Sequence, residues 1–117
     1  MELEIRDLST ENIDDLVNNC VSQSSAETLK EGSLKKKVWI ERALQAFGSC
    51  AKIAYVKGKP VGFVEFYPIQ TFPILRHMLK DRRIILITCV YVRQREFQGR
   101  GIGSKLIQTL IKDLKQR

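Results

Sequence analysis

The spacing of apolar residues divides the first half of the chain into one strand and two helices. Alternation over residues 3–8 predicts a short strand, after which Ser9 or Thr10 can cap a helix. The apolar face of that helix consists of Ile13, Leu16, Val17, Cys20 and Val21. A second helix is predicted over residues 34–47, ending at Gly48. It carries three lysines that we expect to be solvated, Lys35, Lys36 and Lys37.

The middle of the chain predicts a β-hairpin followed by a loop. Residues 51–56 and 60–66 are rich in strand-forming side chains and are joined by a short glycine-containing connection at 57–59. The sheet is therefore expected to be antiparallel here. Residues 68–83 contain two prolines and several charges, which predicts a loop with one helical turn around 74–79.

The last third of the chain combines a strand, a glycine turn and a helix. Residues 84–92 are almost continuously apolar, which is typical of a central strand covered on both faces. From Gly103 onward, one helical face is apolar while the lysines stay outside. That face consists of Leu106, Ile107, Leu110, Ile111 and Leu114. The 117 residues are expected to form one domain, 1–117, with one core.

Charge and cysteine content narrow the class of protein. The formal net charge of +7 favours anionic partners, although a solvated basic surface explains much of it equally well. Three cysteines lie far apart, at Cys20, Cys50 and Cys89, so they indicate reduced thiols rather than a disulfide framework. The N-terminus lacks the features of a signal peptide, and no apolar run is long enough to span a membrane. A soluble, cytoplasmic protein is the resulting prediction.

The glycine turn after the third apolar run carries the strongest chemical signal. Glycines at 99, 101 and 103 allow backbone conformations closed to other residues and a close approach of N–H groups to a ligand. The helix that follows presents unpaired N–H groups at its positive end, which makes an anion site. The order of glycines is not the dinucleotide fingerprint, and Lys105 stands one place too late for a Walker A loop. The alternative is a tight turn that binds nothing.

The segment Gln98-Gly99-Arg100-Gly101-Ile102-Gly103, preceded by the apolar strand 84–92, matches the pattern Gln/Arg-x-x-Gly-x-Gly/Ala. It resembles motif A of the GNAT family of N-acetyltransferases, which bind acetyl-coenzyme A. The resemblance implies an α+β, three-layer fold with a mixed, mostly antiparallel sheet flanked by helices. The order of predicted elements is similar over nearly the whole chain, whereas sequence specificity is confined to about 84–106. The family continues with a further strand, helix and hairpin, so the domain is expected to be incomplete at its C-terminus, with an open strand edge and a tendency to self-associate.

The resemblance also assigns residues to the coenzyme. It implies that the backbone of Val90 and Val92 lies along the pantetheine arm, and that an amide next to them meets the thioester oxygen. The pyrophosphate would be surrounded, mainly through N–H groups, by Gln98, Gly99, Arg100, Gly101, Gly103 and Ser104. Arg100 adds a charge-assisted contact in this view, and an exposed arginine without a role is the alternative.

Candidate catalytic residues are harder to place. Strand 84–92 contains no carboxylate, so Glu65 on the preceding strand is the nearest candidate for a general base, and a solvated strand glutamate is the preferred alternative. The family's tyrosine acid would lie beyond residue 117 and does not transfer to Tyr67 or Tyr91. Cys89 is interpreted as a buried packing residue rather than a nucleophile. The single histidine, His77, makes no metal site.

These residues favour an acetyl-coenzyme A-dependent N-acetyltransferase that acts on an amine acceptor of unknown identity. A catalytically silent acyl-coenzyme A binding module is the first alternative. A basic nucleic-acid-binding domain is the second, and it rests on charge alone because aromatic residues do not interleave with the basic ones.

Overall fold

The structure is a computed structural model that describes residues 2–20, 26–72, 77, 84–93 and 95–116. Its strands and helices are β1 (Leu3–Asp7), α1 (Ile13–Cys20), α2 (Ala26–Phe47), β2 (Ala51–Val56), β3 (Lys59–Pro68), β4 (Ile85–Val92) and α3 (Ile102–Gln116). Short 3-10 turns at Ile69–Thr71 and Arg95–Phe97 follow β3 and β4. This order confirms the predicted sequence of elements. The helical turn predicted around 74–79 lies outside the described residues, apart from His77, which is helical and exposed.

Helix α2 is longer than its apolar pattern indicates. It begins at Ala26 rather than at residue 34, so the predicted start was wrong. Gly32 lies within the helix, where a glycine costs only about 1 kcal/mol relative to alanine. The residues before it include good helix formers, and the helix continues through the glycine.

The four strands form one antiparallel sheet in the order β1-β2-β3-β4. The β2–β3 connection is a two-residue turn in which Lys57 and Gly58 both have positive φ, at 52° and 77°. Such turns match the twist of the paired strands and set their register. The predicted hairpin is confirmed, with Lys59 already part of β3.

The helices cover the two faces of the sheet, which gives the three layers expected. Side chains of α1 and α2 pack on one face, against residues such as Ile53 and Phe63. Helix α3 packs on the other face, where Leu106 and Leu110 contact a cluster that includes Val64. Apolar burial on both faces is the main stabilising contribution to a layered fold of this kind.

Strand β4 contradicts one prediction. Its apolar run was expected to be a central strand covered on both faces, yet residues 87–91 are exposed. Among the described strands, β4 pairs only with β3 and stands at the edge of the sheet. The apolar composition of β4 therefore did not predict its exposure. That exposure follows from its place at the edge of the described sheet.

A buried cation links both ends of the chain. Lys52 on β2 is 4 % exposed, and its Nζ contacts Asp7 Oδ1 and lies 3.2 Å from Asp113 Oδ2. Two carboxylates from β1 and α3 thus neutralise a charge that would otherwise be costly to bury.

Candidate active site

The glycine turn adopts the backbone conformations that its sequence predicts at two of three positions. Gly99 and Gly101 have φ of 76° and 80°, in the left-handed region. Gly103, by contrast, lies inside α3 with ordinary helical geometry, and a Cβ there would meet Val90 Cγ1 at 3.8 Å, an ordinary contact. The expectation that all three glycines need special backbone freedom was therefore wrong for Gly103.

The start of α3 presents free backbone donors beside this turn. Lys105 donates its N–H to the carbonyl of Gly101, the residue before α3, at 2.9 Å. The N–H groups of Ile102, Gly103 and Ser104 precede it and have no carbonyl one turn back within the helix. Together with the positive end of the helix dipole, they form a site suited to an anion. Arg100 is exposed at the same turn.

The edge of β4 opposite to β3 continues this surface. Arg93 donates its N–H to the Val61 carbonyl at 3.0 Å, so it belongs to a hydrogen-bonded pair of the antiparallel ladder. Because such pairs alternate with non-bonded ones, Val92 and Val90 direct their backbone N–H and C=O groups away from β3. These are the two residues predicted to face the pantetheine arm.

Gln98 fastens the turn to the strand. Its side-chain Nε2 donates to the Val92 carbonyl at 3.0 Å, and its backbone N–H donates to the Arg95 carbonyl at 3.2 Å. Both groups are thus used within the protein. In this structure Gln98 orients the loop between β4 and α3, and this adds a structural role to the phosphate contact predicted for it.

A β-bulge interrupts β4 next to this edge. Cys89 pairs with Glu65 and Ile87 pairs with Phe66, which leaves Thr88 without an opposite residue on β3. Bulges bend an edge strand and re-aim its side chains, and they are frequent beside active sites. Cys89, paired with Glu65 just after the bulge, lies on the same face of the sheet as that carboxylate.

Glu65 is the charged centre of that face. It is 2 % exposed, so the preferred interpretation of a solvated strand glutamate was wrong. Its Oε2 accepts hydrogen bonds from Lys36 Nζ and from the Tyr67 hydroxyl, each at 3.0 Å. Lys36 was expected to be solvated, but its side chain is only 30 % exposed because it reaches from α2 to this carboxylate. The ion pair with Lys36 offsets the desolvation cost of burying the Glu65 carboxylate.

Two neighbours of Glu65 hold their protons tightly. Burial raises the pKa of the Tyr67 hydroxyl, and the adjacent Glu65 charge raises it further. The pKa of the Cys89 thiol is also raised, first by desolvation and then by Glu65, while Lys36 acts in the opposite direction. Cys89 is exposed, so its interpretation as a buried packing residue was wrong. Its raised pKa nonetheless makes it a poor nucleophile.

A family model for "Acetyltransferase (GNAT) family" matches residues 14–117. The chain belongs to this family. The GNAT membership confirms the resemblance carried by motif A, and it makes the chain an acetyltransferase whose family uses acetyl-coenzyme A as cosubstrate. No curated protein sequence matches the chain.

Solved GNAT structures share its fold. A ribosomal-protein-alanine N-acetyltransferase from Brucella melitensis biovar Abortus 2308 is 25% identical, with a TM-score of 0.65 over 100% of this chain and 74% of that one. The PaiA N-acetyltransferase of Thermoplasma acidophilum, in complex with coenzyme A, is 18% identical, with a TM-score of 0.67 over 99% and 74%. A GNAT acetyltransferase from Brucella melitensis, in complex with acetyl-coenzyme A, is 21% identical, with a TM-score of 0.63 over 98% and 70%.

In this GNAT fold, the predicted coenzyme residues lie on one continuous surface, from β4 through the turn to the start of α3, while Glu65 lies one strand further in. Lys36 and Tyr67 were missed as members of the site. The Lys36–Glu65 contact joins residues 29 positions apart, and no local pattern signals it. No helix in the described part of the chain is both long and apolar enough to cross a membrane. The cytoplasmic location and self-association stay predictions.

Proposed function

We propose that residues 1–117 belong to one domain that binds acetyl-coenzyme A and transfers its acetyl group to an amine. The observation that carries the proposal is the continuity between the outward backbone of β4 and the donors at the start of α3. An extended, hydrogen-bonding arm and an anionic pyrophosphate need these two features side by side. The net charge of +7 adds long-range attraction for a ligand with several phosphates.

The proposed binding site of the pyrophosphate is the turn from Gly99 to Ser104. Positive φ at Gly99 and Gly101 lets consecutive N–H groups converge, and α3 adds its dipole. Arg100 is exposed beside the turn and can add a charge-assisted hydrogen bond to a phosphate oxygen. Gln98 holds the turn against Val92.

The acetyl thioester would then lie near Val90, two residues after the bulge at Thr88. Acetyl transfer needs a neutral amine in line with the thioester carbonyl and a hydrogen-bond donor for the developing oxyanion. A backbone N–H on the outer edge of β4 can serve as that donor. We propose that Glu65 accepts the proton of the incoming ammonium, because Glu65 is the carboxylate on the strand next to this part of β4.

Coenzyme A binding tests the first half of the proposal. Gly101→Val should weaken binding about 10-fold or more, the loss of roughly one charge-assisted hydrogen bond. Gly48→Val is the matched control. Gly48 has a φ of 82°, and a Cβ added there, as at Gly101, would have no atom within 4 Å. Both variants carry the same type of backbone strain, so calorimetry should find weaker binding only in Gly101→Val. Equal affinity in the two folded variants would contradict the assignment of the turn.

Turnover tests the second half. Incubation with acetyl-coenzyme A and a panel of amines should release free thiol in proportion to the acetylated amine. Binding of coenzyme A without acetylation of any amine would instead favour the catalytically silent binding module.

A further inference from the structure

The Lys36–Glu65 pair already contains an amine in contact with a proton acceptor. Lys36 Nζ lies 3.0 Å from Glu65 Oε2, within the range for direct proton transfer between a positioned acid and base. The carboxylate is held in place by the Tyr67 hydroxyl at 3.0 Å. Its burial and this second hydrogen bond limit its movement, so the Lys36 amine has a fixed proton acceptor beside it.

The pair lies one strand away from the proposed acetyl group. Glu65 faces Cys89 directly across the β3–β4 ladder, at a strand separation of about 4.8 Å. Cys89 is followed by Val90, whose backbone faces outward. The charge of Lys36 acts on the Cys89 thiol, which is consistent with a position above β4. The acetyl group on the outer edge of β4 lies about one further strand spacing away, and the flexible four-carbon stem of Lys36 lets its Nζ swing from Glu65 past Cys89 towards it.

We propose that Lys36 is an intramolecular acetyl acceptor, so that the protein acetylates itself at this residue. The inference rests on the proposed function. Glu65 takes one proton from the Lys36 ammonium, and the neutral Nζ attacks the thioester carbonyl to form a C–N bond. The C–S bond then breaks, and the coenzyme A thiolate takes a second proton from the nitrogen. The products are Nζ-acetyl-Lys36 and coenzyme A thiol, and Glu65 returns its proton to solvent.

The neighbouring lysine provides a matched comparison. Lys37 makes an ion pair of almost the same length, 3.1 Å, with Asp14. That carboxylate is 70 % exposed, and both residues line a groove between α1 and α2, a different surface from that of Glu65 and Cys89. Chemical acetylation by free acetyl-coenzyme A should not favour Lys36 over the more exposed Lys37, whereas the proposed mechanism should acetylate Lys36 selectively.

The experiment incubates the purified chain with acetyl-coenzyme A and follows each lysine by peptide mass spectrometry. Lys36 should gain one acetyl group, with a rate constant that does not change with protein concentration, as expected for an intramolecular step. Lys36→Arg should abolish this product while Lys37→Arg leaves it unchanged. Glu65→Gln should slow it by about 100-fold, the lower end of what a positioned base contributes. Gly101→Val should slow it in parallel with its loss of coenzyme A affinity.

The outcomes separate the two proposals. If coenzyme A binds but Lys36 is acetylated no faster than Lys37, or at a rate that grows with protein concentration, the self-acetylation is wrong and the proposed function stands. If coenzyme A does not bind, both are wrong. If Glu65→Gln does not fold, the Lys36→Arg and Lys37→Arg comparison and the concentration dependence still decide the inference.

Discussion

Strands β3 and β4 are neighbours in the sheet, yet the strand that contains a charged residue in its middle is buried and the strand without one is exposed. β3 contains the charged Glu65 and is buried from Val61 to Tyr67, whereas β4 has no charged residue and is exposed from Ile87 to Tyr91. The cross-strand pair Val64 and Val90 shows the contrast within one residue type, at 0 % and 38 % exposure. Position within the sheet, and not hydropathy, determined which strand was covered.

The contrast has a functional meaning. An apolar strand left open at a sheet edge is a liability for a soluble protein unless something binds there. In this protein the open strand joins the glycine turn, and its outward N–H and C=O groups face the proposed site of the coenzyme. Glu65 on β3, in turn, is buried at a position that an amine can reach. Three pairs of identical residues, each with one covered and one exposed member, test this view.

The largest difference should appear in the valine pair. Val64→Ala should lower the free energy of unfolding by about 2 kcal/mol, because it removes buried methyl groups and leaves a cavity under α3. Val90→Ala should cost about 0.5 kcal/mol or less, since its side chain is already partly in water. Chemical denaturation of both variants measures the two values. Equal losses would show that β4 is covered in solution.

A smaller difference is expected in the tyrosine pair. Tyr67→Phe removes the hydroxyl that donates to Glu65 and should cost about 1 kcal/mol. Tyr91→Phe, on the exposed part of β4, should change stability by only a few tenths of a kcal/mol. Because the pKa of Tyr67 is raised, its hydroxyl should keep its proton well above the ordinary pH range for tyrosine. A Tyr67 that ionises near its usual pH would contradict the buried contact with Glu65.

The smallest effects concern the cysteine pair. Iodoacetamide should label Cys89, which is exposed, and leave the buried Cys50 unmodified in the folded protein. The raised pKa of Cys89 means less thiolate at neutral pH, so labelling should be slower than for a free thiol. Glu65→Gln removes a negative charge that raises this pKa and should speed labelling a few-fold, whereas Lys36→Gln should slow it.

A second measurement checks the role of Cys89 itself. Cys89→Ala should keep coenzyme A affinity and acetyl transfer within a few-fold, because a thiol that holds its proton cannot act as the acetyl carrier. An acetylated enzyme that disappears in this variant would reverse that conclusion.

Local patterns predicted the elements and the turn for good physical reasons. The strands and helices follow from periodicity, and the positive φ at Gly99 and Gly101 follows from the backbone freedom of glycine. The errors about side-chain exposure share one cause, which is dependence on partners distant in sequence. The burial of Glu65 and the exposure of Cys89 depend on what packs against them, and no local window contains that information. The early start of α2 was instead a local signal that the apolar pattern did not include.

The sequence by itself determined the family, the order of elements and the turn that is suited to an anion, because each depends on residues within a few positions of one another. Only the tertiary structure decided which apolar strand stays open and which carboxylate meets an amine. Lys36 and Glu65 are 29 residues apart, and they meet only because α2 crosses the face of β3. Burial and charge pairing are properties of that packing, since the same side chains on isolated segments would remain in water.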